Sequence, residues 1–147
     1  MHEIKNTAQS LRFSLLAGHA TVTLRGRRTG TRFTYRIQRK TGATAPHFVK
    51  VLTGPDNGSD YTFLGTIFAD GEYRHSGKSP IGSEAPSAVM FRQVWARVSR
   101  LVSDGKGDSD IPEIEVFHMG SCLRCGRALT TPESVSRGLG PECAEKA

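Results

Sequence analysis

All three cysteines of the chain, Cys122, Cys125 and Cys143, fall in its last 26 residues, and this clustering restricts the fold more than any other feature. The start, MHEIKNTAQS, lacks the charged-then-apolar layout of an export signal. An odd, tightly spaced cysteine count in such a chain argues against a disulfide framework and for metal binding. The local pattern is His118-x3-Cys122-x2-Cys125-x17-Cys143. The short gap lets two thiolates point inward from a tight turn, and Gly126 lets the chain fold back after Cys125 without a Cβ clash. Cys143 follows Gly138, Gly140 and Pro141, a turn that can start a short helix at PECAEKA. Knuckle, hairpin and a ligand at a helix start make a treble-clef arrangement suited to zinc. A structural zinc site wants four ligands. His118 is the nearest conventional fourth, with Glu142, Glu145 or a ligand from another chain as weaker substitutes. Residues 114–147 are too few for an adequate apolar core, so one structural zinc ion per chain is the expected staple.

From His118 to Cys143, the CxxCGRxL opening, the PES middle and the GxGPxC close resemble a small uncharacterised treble-clef zinc domain found in proteins of phages, plasmids and bacterial genomes. The likeness spans 26 of 147 residues. It implies a structural zinc held by Cys122, Cys125 and Cys143 with His118 as the fourth ligand, and it implies no reaction. RFTYR, VLTGPDN and DYTFLGTI resemble segments that precede this domain in phage-borne proteins, which implies a recurring architecture.

Charge divides the chain in two. The net charge of +6 is made of +9 in residues 1–55, with ten cations and only Glu3 as an acid, and −3 in the remainder. Much of that excess sits in RGRRTGTRFTYRIQRK, seven cations and no acid in sixteen residues. The pattern around it has period two: Val22 and Leu24, then Phe33, Tyr35 and Ile37, alternate with polar residues. GRRTGT supplies Gly26 and Gly30 for a turn, so a hairpin is expected. Burying its apolar face leaves Thr21, Thr23, Arg25, Arg32, Thr34 and Arg36 on the other, with Arg27 and Arg28 at the tip.

HFVKVLTG and YTFLGTIF read as further strands, and EYRH as a short fifth. Residues 3–17 carry Ile4, Ala8, Leu11 and Leu15 at helical spacing, with Gly18 as terminator. The clearest helix is 87–102, where Phe91, Val94, Trp95, Val98, Leu101 and Val102 form an apolar stripe opposite Gln93, Arg97 and Arg100. One main amphipathic helix covering a four- or five-stranded antiparallel sheet predicts a small α+β domain over 1–102. SDGKGDSDIP, 103–112, has linker composition, and 113–147, opened by the strand EIEVFH, form the treble-clef zinc module.

No enzyme is expected. A closed four-ligand zinc site leaves no position for an activated water. Neither a phosphate loop nor the histidine–glutamate and cysteine pairing of zinc deaminases is present. His2, His19, His47 and His75 are scattered and read as surface or strand residues. The expected function is binding of nucleic acid, or of a nucleic-acid-processing complex, through Arg25, Arg27, Arg28, Arg32, Arg36, Arg39 and Lys40, with the hairpin threonines donating to phosphates. With Phe33 and Tyr35 turned inward, this face is expected to lack a stacking surface for single strands. Alternatives are a protein inhibitor docking on a host defence complex such as a CRISPR effector, and a structural accessory subunit. No apolar run approaches the roughly 20 residues of a membrane span, so a cytoplasmic protein of a bacterial host cell is expected.

Overall fold

The computed structural model of the chain describes residues 2–4, 7–39, 46–55 and 59–118. Cys122, Cys125, Cys143, Glu142, Glu145 and Lys40 lie outside the described residues, as does the expected treble clef beyond His118.

Alternation builds the sheet. In β2 (His19–Gly26) Ala20, Val22 and Leu24 are fully buried, and in β3 (Arg32–Arg39) so are Tyr35 and Ile37. The strands pair antiparallel with Ala20 opposite Ile37, Val22 opposite Tyr35 and Leu24 opposite Phe33, which is the expected hairpin. Its turn requires glycine at Gly30, whose φ of 71° is left-handed and whose N–H donates to the Gly26 carbonyl at 2.9 Å. On one side follow β4 (His47–Leu52), β5 (Tyr61–Ile67) and β6 (Tyr73–His75); on the other lie β7 (Ile114–His118) and β1 (His2–Ile4). The order β1-β7-β2-β3-β4-β5-β6 makes seven strands, with every neighbouring pair antiparallel. To the four or five strands expected within 1–102 it adds β1, and it takes into the same sheet the EIEVFH strand that was expected to open a separate module.

Two helices cover one face, not one. The expected helix over 3–17 is shorter: α1 spans Ala8–Leu15, and residues 2–4 instead pair with β7, Glu3 opposite Phe117. Thr7 marks the boundary, since its extended backbone leads into the helix while its Oγ1 accepts from the Ser10 N–H at 3.2 Å. The other early N–H groups of α1 find carbonyls in the segment with linker composition: Ala8 donates to Ser109 and Gln9 to Gly107, both at 2.9 Å. Gly107 fits there because a Cβ would meet the Gln9 side chain at 3.0 Å. Ile111, from the same segment, is buried at 1% exposure. Residues 107–111 are therefore packed against α1, and the chain passes directly from them into the sheet as β7.

α2 spans Pro86–Ser103, with Pro86 in its first turn, where no N–H is required. Of the expected stripe Phe91, Val94, Trp95 and Val98 are buried while Leu101 and Val102 are partly so, Ala88 joins them, and Gln93, Arg97 and Arg100 are exposed. After Ser103 the Gly105 N–H donates to Val102 and the Lys106 N–H to Leu101, with Gly105 at φ 74°, a Schellman closure. Aromatic rings tie α2 to the sheet: Phe91 lies 5.1 Å from Tyr35 and 4.9 Å from Tyr73, centroid to centroid. The Tyr35 hydroxyl donates to the Ser87 carbonyl at 2.7 Å, and Trp95 Nε1 to Gly71 at 2.8 Å.

Candidate nucleic-acid interface

Because Tyr35, Tyr73, Leu11 and Leu15 all join the same core, both helices lie against the sheet face that carries Ala20, Val22 and Leu24. Among the described residues no helix covers the opposite face. Its side chains follow from the strand registers as rows. Glu115, Arg25 and Arg32 form the row nearest the hairpin tip. Next come Glu3, Phe117, Thr23 and Thr34, then Thr21, Arg36, Lys50 and Phe63. The last holds His19, Gln38, Phe48, Thr66 and Arg74. Partners within a row sit about 5 Å apart, and rows about 7 Å apart.

Three of the expected contact residues, Arg25, Arg32 and Arg36, share this face, and Arg27 and Arg28 are exposed near the tip. Arg39 does not join them. It stands opposite His47 on the helix-bearing side, because odd positions of β3 face the core. Two arginines already have carboxylate partners: Arg25 reaches Glu115 at 3.6 Å, and Arg27 reaches Glu115 at 3.8 Å and Glu3 at 4.0 Å. With both arginines about half exposed, these pairs contribute little stability each. Arg28, Arg32 and Lys50 form no ion pair among the described residues. The threonines differ from expectation: Thr23 is 1% exposed and its hydroxyl is engaged with that of Thr34 at 2.7 Å, so it is not presented to a phosphate.

The face also has aromatic residues, which the hairpin by itself does not supply. Phe48 on β4 and Phe63 on β5 meet edge to face at 6.4 Å, and the Arg36 guanidinium lies 4.0 Å from the Tyr61 ring centroid. Partial burial raises the Tyr61 hydroxyl pKa, and the Arg36 charge opposes that rise. The expected lack of a stacking surface holds for β2 and β3 only. Placing Val49 and Val51 inward would have put Phe48 and Lys50 outward by alternation alone. Phe63 and Tyr61 carried no such signal, because a bulge between Phe63 and Gly65 reverses the parity of β5.

His118 is the one expected zinc ligand among the described residues. It ends β7 opposite Val22 on β2 and is fully buried on the helix-bearing face. Residues 115–147 match the model of DUF6011, a family of unknown function. The DUF6011 match starts inside β7 and takes in His118, Cys122, Cys125 and Cys143. Comparisons with curated proteins and with solved structures found no match. Among the described residues no group of three or more His, Cys, Asp or Glu side chains is placed to hold a metal, and no helix is long and apolar enough to cross a membrane.

Proposed function

We propose that the chain is a non-enzymatic nucleic-acid-binding protein whose contact surface is the sheet face centred on the β2–β3 hairpin, with a zinc-stapled C-terminal segment. The observation that carries this reading is the register that sets Arg25, Arg32, Arg36 and Lys50 on one face free of helices among the described residues. Positive side chains held on a rigid sheet can meet several phosphates at once, and the affinity from such contacts is independent of sequence. Electrophoretic mobility shift at low salt tests it. Replacing Arg32 and Arg36 by Glu is expected to abolish the shift, and an unchanged shift would reject this face.

The zinc reading rests on the donor set. His118 is a buried imidazole, and Cys122 follows four residues later, within about 14 Å of extended chain, so a thiolate can reach it. Cys125 and Cys143 complete a four-ligand set, and bound zinc would supply a structural cross-link. Elemental analysis is expected to find about one zinc per chain, reduced in Cys125→Ser.

A second reading is favoured by the ion pairs: a face whose arginines already hold Glu115 and Glu3 has the chemistry to dock on an acidic surface of a host nucleic-acid-processing complex. Recovery of a defined protein from nuclease-treated host lysate by the wild type, but not by the Arg32→Glu, Arg36→Glu double variant, is its test.

A further inference from the structure

The proposed face changes character from one edge to the other. Acids stand on the β1–β7 side, as Glu3 and Glu115. Cations occupy the middle, as Arg25, Arg32, Arg36 and Lys50. Rings occupy the β4–β5 side, as Phe48, Tyr61 and Phe63, all partly exposed. The first strip, whose carboxylates already hold Arg25 and Arg27, offers an anionic backbone no attraction, and the second holds it. A chain lying along β3 and β4 therefore turns whatever it carries on its other side toward the rings.

We infer that this face binds single-stranded nucleic acid, with phosphates on the Arg25, Arg32, Arg36 and Lys50 strip and bases stacked on Phe48, Phe63 and Tyr61. This rests on the proposed nucleic-acid reading and adds the class of ligand. A duplex does not fit the same chemistry. Its bases are paired and stacked inside, so the rings would meet a phosphate surface and lose water without gaining a partner. Unpaired bases of any sequence offer a π-face, and the Arg36 guanidinium packed over Tyr61 holds that ring in place beside the phosphate strip. The edge-to-face contact of Phe48 with Phe63 holds both rings in place before binding.

Fluorescence anisotropy on the full chain, with labelled oligothymidylate, oligouridylate and a duplex of equal length, provides the test. Single strands are expected to bind about tenfold or more tighter than the duplex. Phe48→Leu and Phe63→Leu keep the apolar bulk of the face, and each is expected to weaken single-strand binding about fivefold or more while leaving duplex binding unchanged. Oligodeoxyuridylate, which differs from oligouridylate only in the 2′-hydroxyl, then separates DNA from RNA as the ligand. Near-ultraviolet crosslinking of an iodouracil-containing strand to the wild type is expected to label Phe48, Tyr61 or Phe63, a readout that folding of the variants does not affect. Equal binding of duplex and single strand, unmoved by the Leu variants and crosslinked elsewhere, overturns the stacking inference and leaves the nucleic-acid reading standing. Failure of all three probes to bind removes both, and leaves an acidic protein surface as the ligand of the face.

Discussion

The His47 ring is buried beneath the end of α1 at 5% exposure, and its Nε2–H donates to the Leu16 carbonyl at 3.1 Å. Burial lowers its pKa below the ordinary 6.5, the hydrogen bond to Leu16 opposes that, and the nearby Arg39 charge adds to the lowering. The folded chain thus favours the neutral imidazole. As pH falls below 6.5 the unfolded chain takes up the proton first, so the stability this residue contributes is complete above 6.5 and is lost as pH falls toward the folded value. Urea unfolding between about pH 7 and pH 5 is expected to show a smaller loss of stability for His47→Gln, which keeps a donor for Leu16, than for the wild type. Tyr35 is a buried donor without such a switch: desolvation raises its pKa far beyond the neutral range, and its hydroxyl serves the Ser87 carbonyl. Tyr35→Phe is expected to cost about 1 kcal/mol in the same urea experiment.

At the level of elements, the hairpin and α2 were legible because burial decides them: Val22, Leu24, Tyr35 and Ile37 at period two, and Phe91, Val94, Trp95 and Val98 at helical period, have one arrangement that hides them. β1 was not. Ile4 fits a helical stripe through Leu11 and Leu15, and only the free edge of β7, more than a hundred residues away in sequence, makes a strand the better partner. The packed state of 107–111 was equally hidden, since Gly, Asp and Ser compose linkers and helix-capping loops alike. Half of the candidate face depended on the bulge in β5, where Leu64 is the extra residue between Phe63 and Gly65. Gly65 marks the irregularity. A Cβ there would collide with the Arg74 carbonyl oxygen and approach the Tyr73 hydroxyl at 2.6 Å, which burial has pushed up to about 12 in pKa and which sits against α2. Backbone and a packed ring cannot both yield, so Gly65→Ala is expected to destabilise the chain by about 1–3 kcal/mol in urea unfolding.

Taken as a whole molecule, the +9 segment and the acidic remainder are not separate bodies: Glu115, from the acidic part, lies beside Arg25 and Arg27 of the basic part. Arg32 and Lys50, which form no ion pair among the described residues, are the main phosphate contacts of the face, with Arg28 at the tip and Arg36 beside Tyr61 as further cations. With about four phosphates engaged on a single strand, log affinity is expected to fall by about 3 for each tenfold rise in salt, about 0.7 per contact. Titration of the anisotropy with salt checks it, and a flat response excludes phosphate as the ligand. β7 links this face to the zinc reading. Its odd positions, Glu115 and Phe117, belong to the candidate face, while Ile114, Val116 and His118 face the core. A metal bound at His118 is therefore attached to an interior strand of the sheet, and its loss removes a cross-link between that strand and the cysteines that follow it in sequence. Chelation is expected to lower the unfolding temperature of the whole chain in one transition, by about 5 °C or more, given about 2–4 °C per kcal/mol for a chain of this size. Trp95, buried on α2 and bonded to Gly71, reports the core by its fluorescence, and metal content measured in parallel reports the site. Coincident transitions would show the zinc segment and the sheet unfolding together. A Trp95 transition unmoved by complete removal of zinc would show that the sheet does not depend on the metal.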